Sequence, residues 1–507
     1  MKLKLFVTVG LFLILVACGP TAVAQPTETP TQAATAVPTV PPTLTPPPTP
    51  TIVAETAVAT QSSPTFNRCL VTDAVPQSLP PVEPVRLLYS EDGNLKLWQE
   101  GAETAVSLTS SGDVPYGQIS SDGTLVAFVR TVPRETAELW VVSTDGQNER
   151  QLIAVSLSDY LDQAEDYVVN VHLRFTWLPQ LHKVAFWLDP ELDGLGGLPQ
   201  DTVIVVDADS GEMVSLFEGG EVARWHFSPD GQIAATFIQD GVRLMDTATG
   251  QVRHDLTLPG SGSPDQSTSF SPDGRYLVAF AAGGVAIIDT NSGSVDLIPL
   301  AYTPIGAGHY AIWPSIQWLS DGRSFQTIVS NTEEVWGNVD ATFTVWQLDL
   351  AAQTAVSLHI FTGDPTSAWI AANGRYLAYY KLASNQSNMR ELYLADLESG
   401  ETALYDRGEV VELIAWHPNS VQFVYWFWDG KRPLLGSLCG EPVEIPGPGQ
   451  AIYQLRWQTD EQFIWFAGQL DNPDDFSSAG NWTLFQGSLQ GEPTQLWRYR
   501  GYQPIYP

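Results

Sequence analysis

At Phe227 the chain reads FSPDGQIAATF, and at Phe270 it reads FSPDGRYLVAF. Nearly the same eleven residues recur 43 positions later, and this recurrence constrains the fold more than any other feature. Each copy has one physical reading. A bulky apolar residue ends a strand; Ser-Pro-Asp-Gly then suits a tight turn, with Pro pre-setting φ and Gly tolerating positive φ. The apolar run that follows is what a strand packed on both faces needs.

Weaker relatives extend along the chain. They read ISSDGTLVAFV from Ile119, WLPQLHKVAFW from Trp177, WLSDGRSFQTI from Trp318 and IAANGRYLAYY from Ile370. Two more are WHPNSVQFVYW from Trp416 and WQTDEQFIWFA from Trp457. Successive copies lie roughly 40 to 60 residues apart, within the range of propeller blades. A second phrase follows each first one, as in VIVVDADSGEMVSL, VRLMDTATGQVRHDL, VAIIDTNSGSVDLI and LYLADLESGETALY. It reads as strand, Asp/Ser/Gly turn, strand, which is a hairpin. The two phrases together make a four-stranded antiparallel unit, one blade of a β-propeller. A sandwich of unrelated strands leaves the fixed order of two distinct phrases unexplained.

The expected fold is therefore all-β, a single propeller over residues 67–507. Eight first phrases and nine second phrases are present, so the literal count is nine; the usual ceiling of eight pulls the expectation to about eight, with a range of seven to nine. The unmatched second phrase opens the domain as RLLYS and NLKLWQEGAETAVSL, and the tail GYQPIYP is expected to supply its missing strand. Such closure removes the open sheet edge that invites aggregation.

The phrases resemble the WD40-like repeats of TolB-type propellers, whose hallmark is the S-P-D-G turn followed by an L-A-F-like strand. The same repeat occurs in propellers that precede prolyl-peptidase hydrolase domains. The resemblance covers Val85 to Pro507. It implies the fold and a possible part in envelope assembly; for function it is weak, because such folds host unrelated activities. The copies near Leu181 and Asp460 lack Asp-Gly, which leaves their turn geometry open.

The first residues, MKLKLFVTVGLFLILVACGP, read as a signal peptide over 1–17, with Lys2 and Lys4 before an apolar run from Leu5 to Val16. That run is too short to cross a hydrocarbon core of about 30 Å. Leu15-Val16-Ala17-Cys18 resembles the lipobox of bacterial lipoproteins, which implies lipidation of Cys18 and cleavage before it. Two acyl chains satisfy the requirement for a stable membrane anchor. Residues 18–66 follow as a Thr/Pro-rich linker, exemplified by PTVPPTLTPPPTPT. Its composition cannot offset the entropy of ordering, so a disordered, semi-rigid stalk is expected. Anchor and stalk place the propeller outside the cytoplasm, at a bacterial membrane or cell surface. Two cysteines remain besides Cys18, and an even number in an oxidising compartment predicts a Cys69–Cys439 disulfide.

The formal net charge is −33, with only 16% charged residues. Such a surface repels phosphate backbones, so nucleic acid is not an expected partner. The expected partners are the membrane, through the lipid, and a protein, peptide or glycan ligand; a monomer is expected. Sorting the connections by blade position puts SPDG and DxxSG on one face. The long insertions at 156–170, 189–200, 301–314, 331–340 and 471–481 fall on the other, which is the candidate binding face.

On that face Tyr302, His309, Tyr310, Trp313 and Trp336 are candidates to stack on a sugar or clamp a peptide, or else to plug the loops onto a blade. Asp471, Asp474 and Asp475 form an acidic loop. Asp189, Glu191 and Asp193 with Gly194 resemble the start of a calcium loop, although Gln200 stands where the bidentate Glu is needed. Ca2+ is the one cofactor considered, and a solvated acidic turn is the plainer reading. Trp177, Trp318, Trp416 and Trp457 recur at one repeat position and read as packing; His226 and His417 beside it read as blade residues. No G-x-S-x-G elbow, H-E-x-x-H, CxxC pair or Gly-rich phosphate loop occurs. The expected function is a surface-tethered binding module without a catalytic site. The alternatives are a carbohydrate-active propeller working through clustered carboxylates, and an envelope-assembly component.

Overall fold

The computed structural model describes residues 66–71 and most of 84–501. Outside the described residues lie 1–65, 72–83, 133–134, 159–167, 193–199, 223–224, 239–240, 259–266, 282, 303–304, 308–309, 313, 334 and 336–337. So do 385–387, 410, 428–432, 446–451, 460, 471–479, 489–492 and 502–507.

The chain folds into nine successive antiparallel sheets, the blades of an all-β propeller ring. Blade 1 comprises Arg86–Glu91, Asn94–Gln99 and Val106–Ser107. Blade 2 runs Gly117–Ile119, Leu125–Val132, Thr136–Ser143 and Arg150–Ser156. Blade 3 runs Val168–Trp177, Lys183–Leu192, Gln200–Asp207 and Met213–Val222. Blade 4 runs Trp225–Phe227, Ile233–Ile238, Gly241–Asp246 and Val252–Thr257. Blade 5 runs Thr268–Phe270, Tyr276–Ala281, Gly284–Asp289 and Val295–Pro299. Blade 6 runs Gln317–Trp318, Ser324–Ser330, Thr342–Asp349 and Thr354–Thr362. Blade 7 runs Ala368–Ile370, Tyr376–Leu382, Met389–Asp396 and Thr402–Glu409. Blade 8 runs Val411–Trp416, Gln422–Phe427, Leu434–Ser437 and Val443–Glu444. Blade 9 runs Ile452–Trp457, Gln462–Leu470, Gly480–Ser488 and Thr494–Gly501.

The blade number is the literal phrase count, at the top of the expected range. First strands of neighbouring blades touch one another, and last strands form the rim. Blade 1 shows three strands among the described residues. Its Arg86–Glu91 lies against the last strand of blade 9, as the second strand of blade 4 lies against the last strand of blade 3. Arg86–Glu91 thus stands in second-strand position. The tail GYQPIYP, expected in first position, lies outside the described residues beyond Gly501.

The core is distributed between blades rather than within any of them. Middle strands such as Tyr276–Ala281 and Gly284–Asp289 are buried almost throughout, which is why they read as unbroken apolar runs. The last strand, Val252–Thr257 for example, has no buried residue and is exposed at Val252, Asp255 and Thr257. Each pair of neighbouring blades encloses its own apolar layer, nine layers among the described residues. The layer between blades 9 and 1 closes the ring: Tyr89 packs on Tyr499 at 4.5 Å, and Trp98 stacks on Trp497 at 5.5 Å.

The repeated Ser-Pro-Asp-Gly has a specific job. In blade 4 the Ser228 hydroxyl donates to Asp230 Oδ1 at 2.6 Å and accepts from the Ile233 amide at 2.9 Å. Asp230 Oδ1 also accepts from the Gln232 amide at 3.0 Å. Blade 5 repeats this with Ser271 and Asp273, and blade 2 with Ser120 and Asp122. The second phrase is tied to the first. Thr144, Thr247 and Thr290, each in the turn between third and fourth strands, donate to the carbonyls of Gly123, Gly231 and Gly274.

Copies lacking Asp-Gly still turn. In blade 3 Gln180 takes the left-handed conformation, φ 57°, and the Leu178 amide donates to the Lys183 carbonyl at 2.8 Å. In blade 9 the Gln458 amide donates to the Gln462 carbonyl at 2.8 Å.

Ahead of blade 1, residues 66–71 lie along blades 7 and 8. The Asn67 amide donates to the Leu404 carbonyl, Leu70 to Leu438, and Gly440 back to Arg68. Cys69 and Cys439 are joined by a disulfide.

Two substitutions test the turn network. Ser228→Ala leaves the buried Ile233 amide without its acceptor and is expected to destabilise by about 1–3 kcal/mol. At Gly231, φ is +69° and a Cβ would meet the Pro179 carbonyl oxygen of blade 3 at 2.4 Å. Gly231→Ala is therefore expected to cost about 2 kcal/mol or more. Denaturant titration of both variants measures these losses, with Asp145→Ala in an exposed turn as the near-neutral comparison.

Candidate functional site

The topology puts all five long insertions on one face. Segments 156–170 and 301–314 join a last strand to the next first strand, and 189–200, 331–340 and 471–481 join second to third strands. The opposite face carries the short turns just described.

Two of these loops are partly described and have structure of their own. Within 301–314, Ile305–Ala307 pairs with Tyr310–Ile312 as a small antiparallel ribbon. Tyr302 meets Phe280 edge-on at 5.2 Å, and burial pushes its hydroxyl up to about 12. Tyr302 therefore fastens this loop to blade 5 rather than presenting a free ring. In 331–340 the Thr332 hydroxyl donates to the Thr342 carbonyl at 3.3 Å, and Val335 and Ala341 form a small buried core. His309, Trp313, Trp336, Asp471, Asp474 and Asp475 lie outside the described residues, as does the side chain of Tyr310.

The calcium-like stretch is placed differently from its reading as a loop. Asp189 and Glu191 belong to the strand Lys183–Leu192, opposite His172 and Asn170. The Asp189 carboxylate accepts from Arg174 Nε at 3.1 Å, so a guanidinium stands where a cation was considered. Asp193 lies outside the described residues. Among the described residues no group of three or more His, Cys, Asp or Glu is arranged to hold a metal.

The recurring tryptophans pack, and three of them also link blades. The indole N–H of Trp177 donates to the Gln118 carbonyl, and that of Trp416 to the Trp369 carbonyl. Trp318 donates to the Ser269 hydroxyl at 2.9 Å. Each bond joins a first strand to the one before it. His417 takes the position of the repeat serine: its Nδ1 accepts from the Asn419 amide at 2.8 Å, which leaves Nε2–H to donate to the Thr459 carbonyl of blade 9. It is a blade residue, fully buried.

One charged constellation escaped the sequence reading. On the short-turn face His182 of blade 3 lies between Asp122 of blade 2 at 2.8 Å from Nε2 and Asp209 at 3.0 Å from Nδ1. Thr124 Oγ1 is 3.3 Å from the same Nε2. Hydroxyl, imidazole and carboxylate in line suggest an activated nucleophile, but the protons say otherwise. The Thr124 hydroxyl donates to Asp122 at 2.8 Å rather than to the ring, and two facing carboxylates favour the imidazole with a proton on each nitrogen. In that form the ring has no lone pair with which to act as a base. His182 is held above its ordinary range by the hydrogen bond to Asp122 against some desolvation, then by Asp209. For Asp122 desolvation is outweighed by hydrogen bonds from Ser120, His182 and Thr124, which hold it well below the usual carboxylate range. The trio is an interblade clamp, with Asp122 in the aspartate position of its SPDG-type turn.

Its linkage has a defined sign. A raised imidazole contributes stability that is complete below its ordinary value near 6.5 and is lost as pH rises through the higher folded value. The depressed Asp122 contributes above its ordinary 3.8 and is lost only in stronger acid. His182→Gln is therefore expected to lower stability by about 0.2–1 kcal/mol near pH 5–6, the size of a solvent-screened pair. The difference from the unaltered chain should shrink as pH rises above the ordinary imidazole range. Thermal melts of both proteins across that range check it.

No family model matches the chain, and no curated protein matches it. Solved structures do. One described as the crystal structure of the eukaryotic initiation factor aligns at TM-score 0.51 and 11% identity, over 84% of this chain and 98% of that one. A dipeptidyl peptidase 4 of Porphyromonas gingivalis aligns at TM-score 0.41 and 12% identity, over 68% of this chain and 55% of that one. A dihydro-heme d1 dehydrogenase aligns at TM-score 0.40 and 15% identity, over 87% and 78%. At such identities the likeness is one of fold: this chain is a nine-bladed β-propeller.

Proposed function

We propose that the protein is an extracytoplasmic binding module, a propeller tethered by lipid at Cys18 and a Thr/Pro-rich linker, whose long-loop face engages a protein, peptide or glycan. The observation that carries the binding half is the one-sidedness of the ring. Every long insertion emerges on one face, while the other is occupied by short turns whose polar side chains are spent on one another. A rigid ring with variable loops on one face is a common arrangement for recognition. In the triad-like arrangement at His182 the hydroxyl donates to a carboxylate and the imidazole joins two blades, which favours binding over hydrolysis. The tether half rests on sequence: Lys2 and Lys4, the apolar run and Leu-Val-Ala-Cys ending at Cys18.

Each half has its own test. Metabolic labelling with a radioactive fatty acid should mark the protein, and Cys18→Ser should abolish the label and release the protein from membranes. Label on the serine variant would defeat the anchor. For the face, segments 301–314 and 331–340 are each replaced by a short Gly/Asn turn, and Thr249→Lys alters the short-turn face. Array screening of glycans and peptides should show binding lost at least tenfold by the loop replacements and retained by Thr249→Lys, a change of about 1.4 kcal/mol or more. Full retention by both loop variants would remove this face from the proposal.

A further inference from the structure

The ring is closed between blades 9 and 1, and the chain enters blade 1 immediately after residues 72–83. Any pull on the N-terminal segment would run first into Arg86–Glu91, the strand that forms the seam with Thr494–Gly501. A strand drawn away from its neighbours at one end is the easiest part of a sheet to peel. Residues 66–71 intervene. They are fixed to the far side of the seam, on blades 7 and 8, before the chain reaches blade 1.

That fixing has two parts. One is polar: Arg68 Nε donates to the Tyr405 carbonyl at 3.0 Å, Nη2 reaches Asp406 at 3.4 Å, and Nη1 pairs with Glu441. Asp406 is buried and accepts in addition from the Tyr425 hydroxyl at 2.6 Å, so the anchorage reaches into the blade 7–8 layer. Leu70 and Val71 pack on that same layer. The other part is covalent, the Cys69–Cys439 bond, which spans a sequence separation of 370.

We infer that the Cys69–Cys439 bond, seated by residues 66–71, is a tension anchor, which carries a pull arriving along the linker into blade 8 and leaves the blade 1–blade 9 seam unloaded. The usefulness of such a device rests on reading residues 18–66 as a tether under load. The test applies its own load to soluble protein, so it can fail while the anchor reading stands, and the converse holds too.

The experiment is single-molecule pulling between Gly19 and a click-reactive residue placed at Ser210, an exposed turn position in blade 3. In the oxidised chain the first rupture force is expected to exceed that of the Cys69→Ser/Cys439→Ser double variant by about twofold or more, since forced opening follows the barrier along the loaded path. Arg68→Ala with the bond intact should rupture like the unaltered chain. Amide exchange of Arg86–Glu91 without load should be the same in the double variant within about threefold. Equal rupture forces overturn the inference. A fall of the Arg68→Ala force to that of the double variant overturns it too, because the polar clamp then carries the pull. Loss of unloaded protection beyond threefold would make the bond an ordinary stability staple. If the double variant does not fold, mild reduction of the folded chain during pulling replaces it, with the same two outcomes for force.

Discussion

The structure depends on burial between facing sheets. No blade has a core of its own, because each is one sheet thick and both of its broad faces must be covered. Nine apolar layers among the described residues, one per pair of neighbours, provide that cover, and in the ninth Tyr89 and Trp98 meet Tyr499 and Trp497. Closure is thus what covers the outer faces of blades 1 and 9. An open array would leave two broad sheet faces in water.

The hydrogen-bonded turns serve this packing. Ser228, Ser271 and Ser120 fix where each second strand begins, and the threonines of the following turns fix the third strand against the same point. Side-chain layers meet in register only if neighbouring sheets start at the same height. The polar network sets that height and the apolar layers supply the free energy. Where the serine is absent, other residues take over the role, such as His417 with its neutral imidazole bridging to blade 9.

The architecture was legible because its determinants are local. A turn that needs Pro, Asp and Gly in sequence, flanked by runs apolar on both faces, writes itself into eleven residues, and repetition multiplies the signal. The preference for eight blades over nine came from what propellers usually do, whereas the phrases themselves already numbered nine. The candidate site was far less legible. Tyr302 looks like a free aromatic in a loop until Phe280, twenty-two residues earlier in sequence, is seen beside it. The acidic stretch at Asp189 is visible in the sequence, but the Arg174 guanidinium that its carboxylate accepts from lies on the paired strand and is not. The His182 clamp is not legible because its three members come from turns of two blades, and the copy near Leu181 shows in sequence only that it lacks Asp-Gly. Chemistry that depends on residues distant in sequence leaves no periodic trace.

The interblade tryptophan bonds are unevenly distributed, and this bears on how the ring was assembled. They join blade 3 to 2, 6 to 5 and 8 to 7, whereas blades 4 and 5 carry Phe227 and Phe270 at the same position. A phenylalanine asks nothing of the neighbour except an apolar surface. The junctions that rest on phenylalanine therefore carry no side-chain donor at this position, and they hold the two most similar phrases in the chain. Duplication of a blade there would need no new partner for a donor on either side. The ring would only have to narrow the angle between neighbours, so an odd and unusually high blade number is an outcome that growth by copying reaches without redesign.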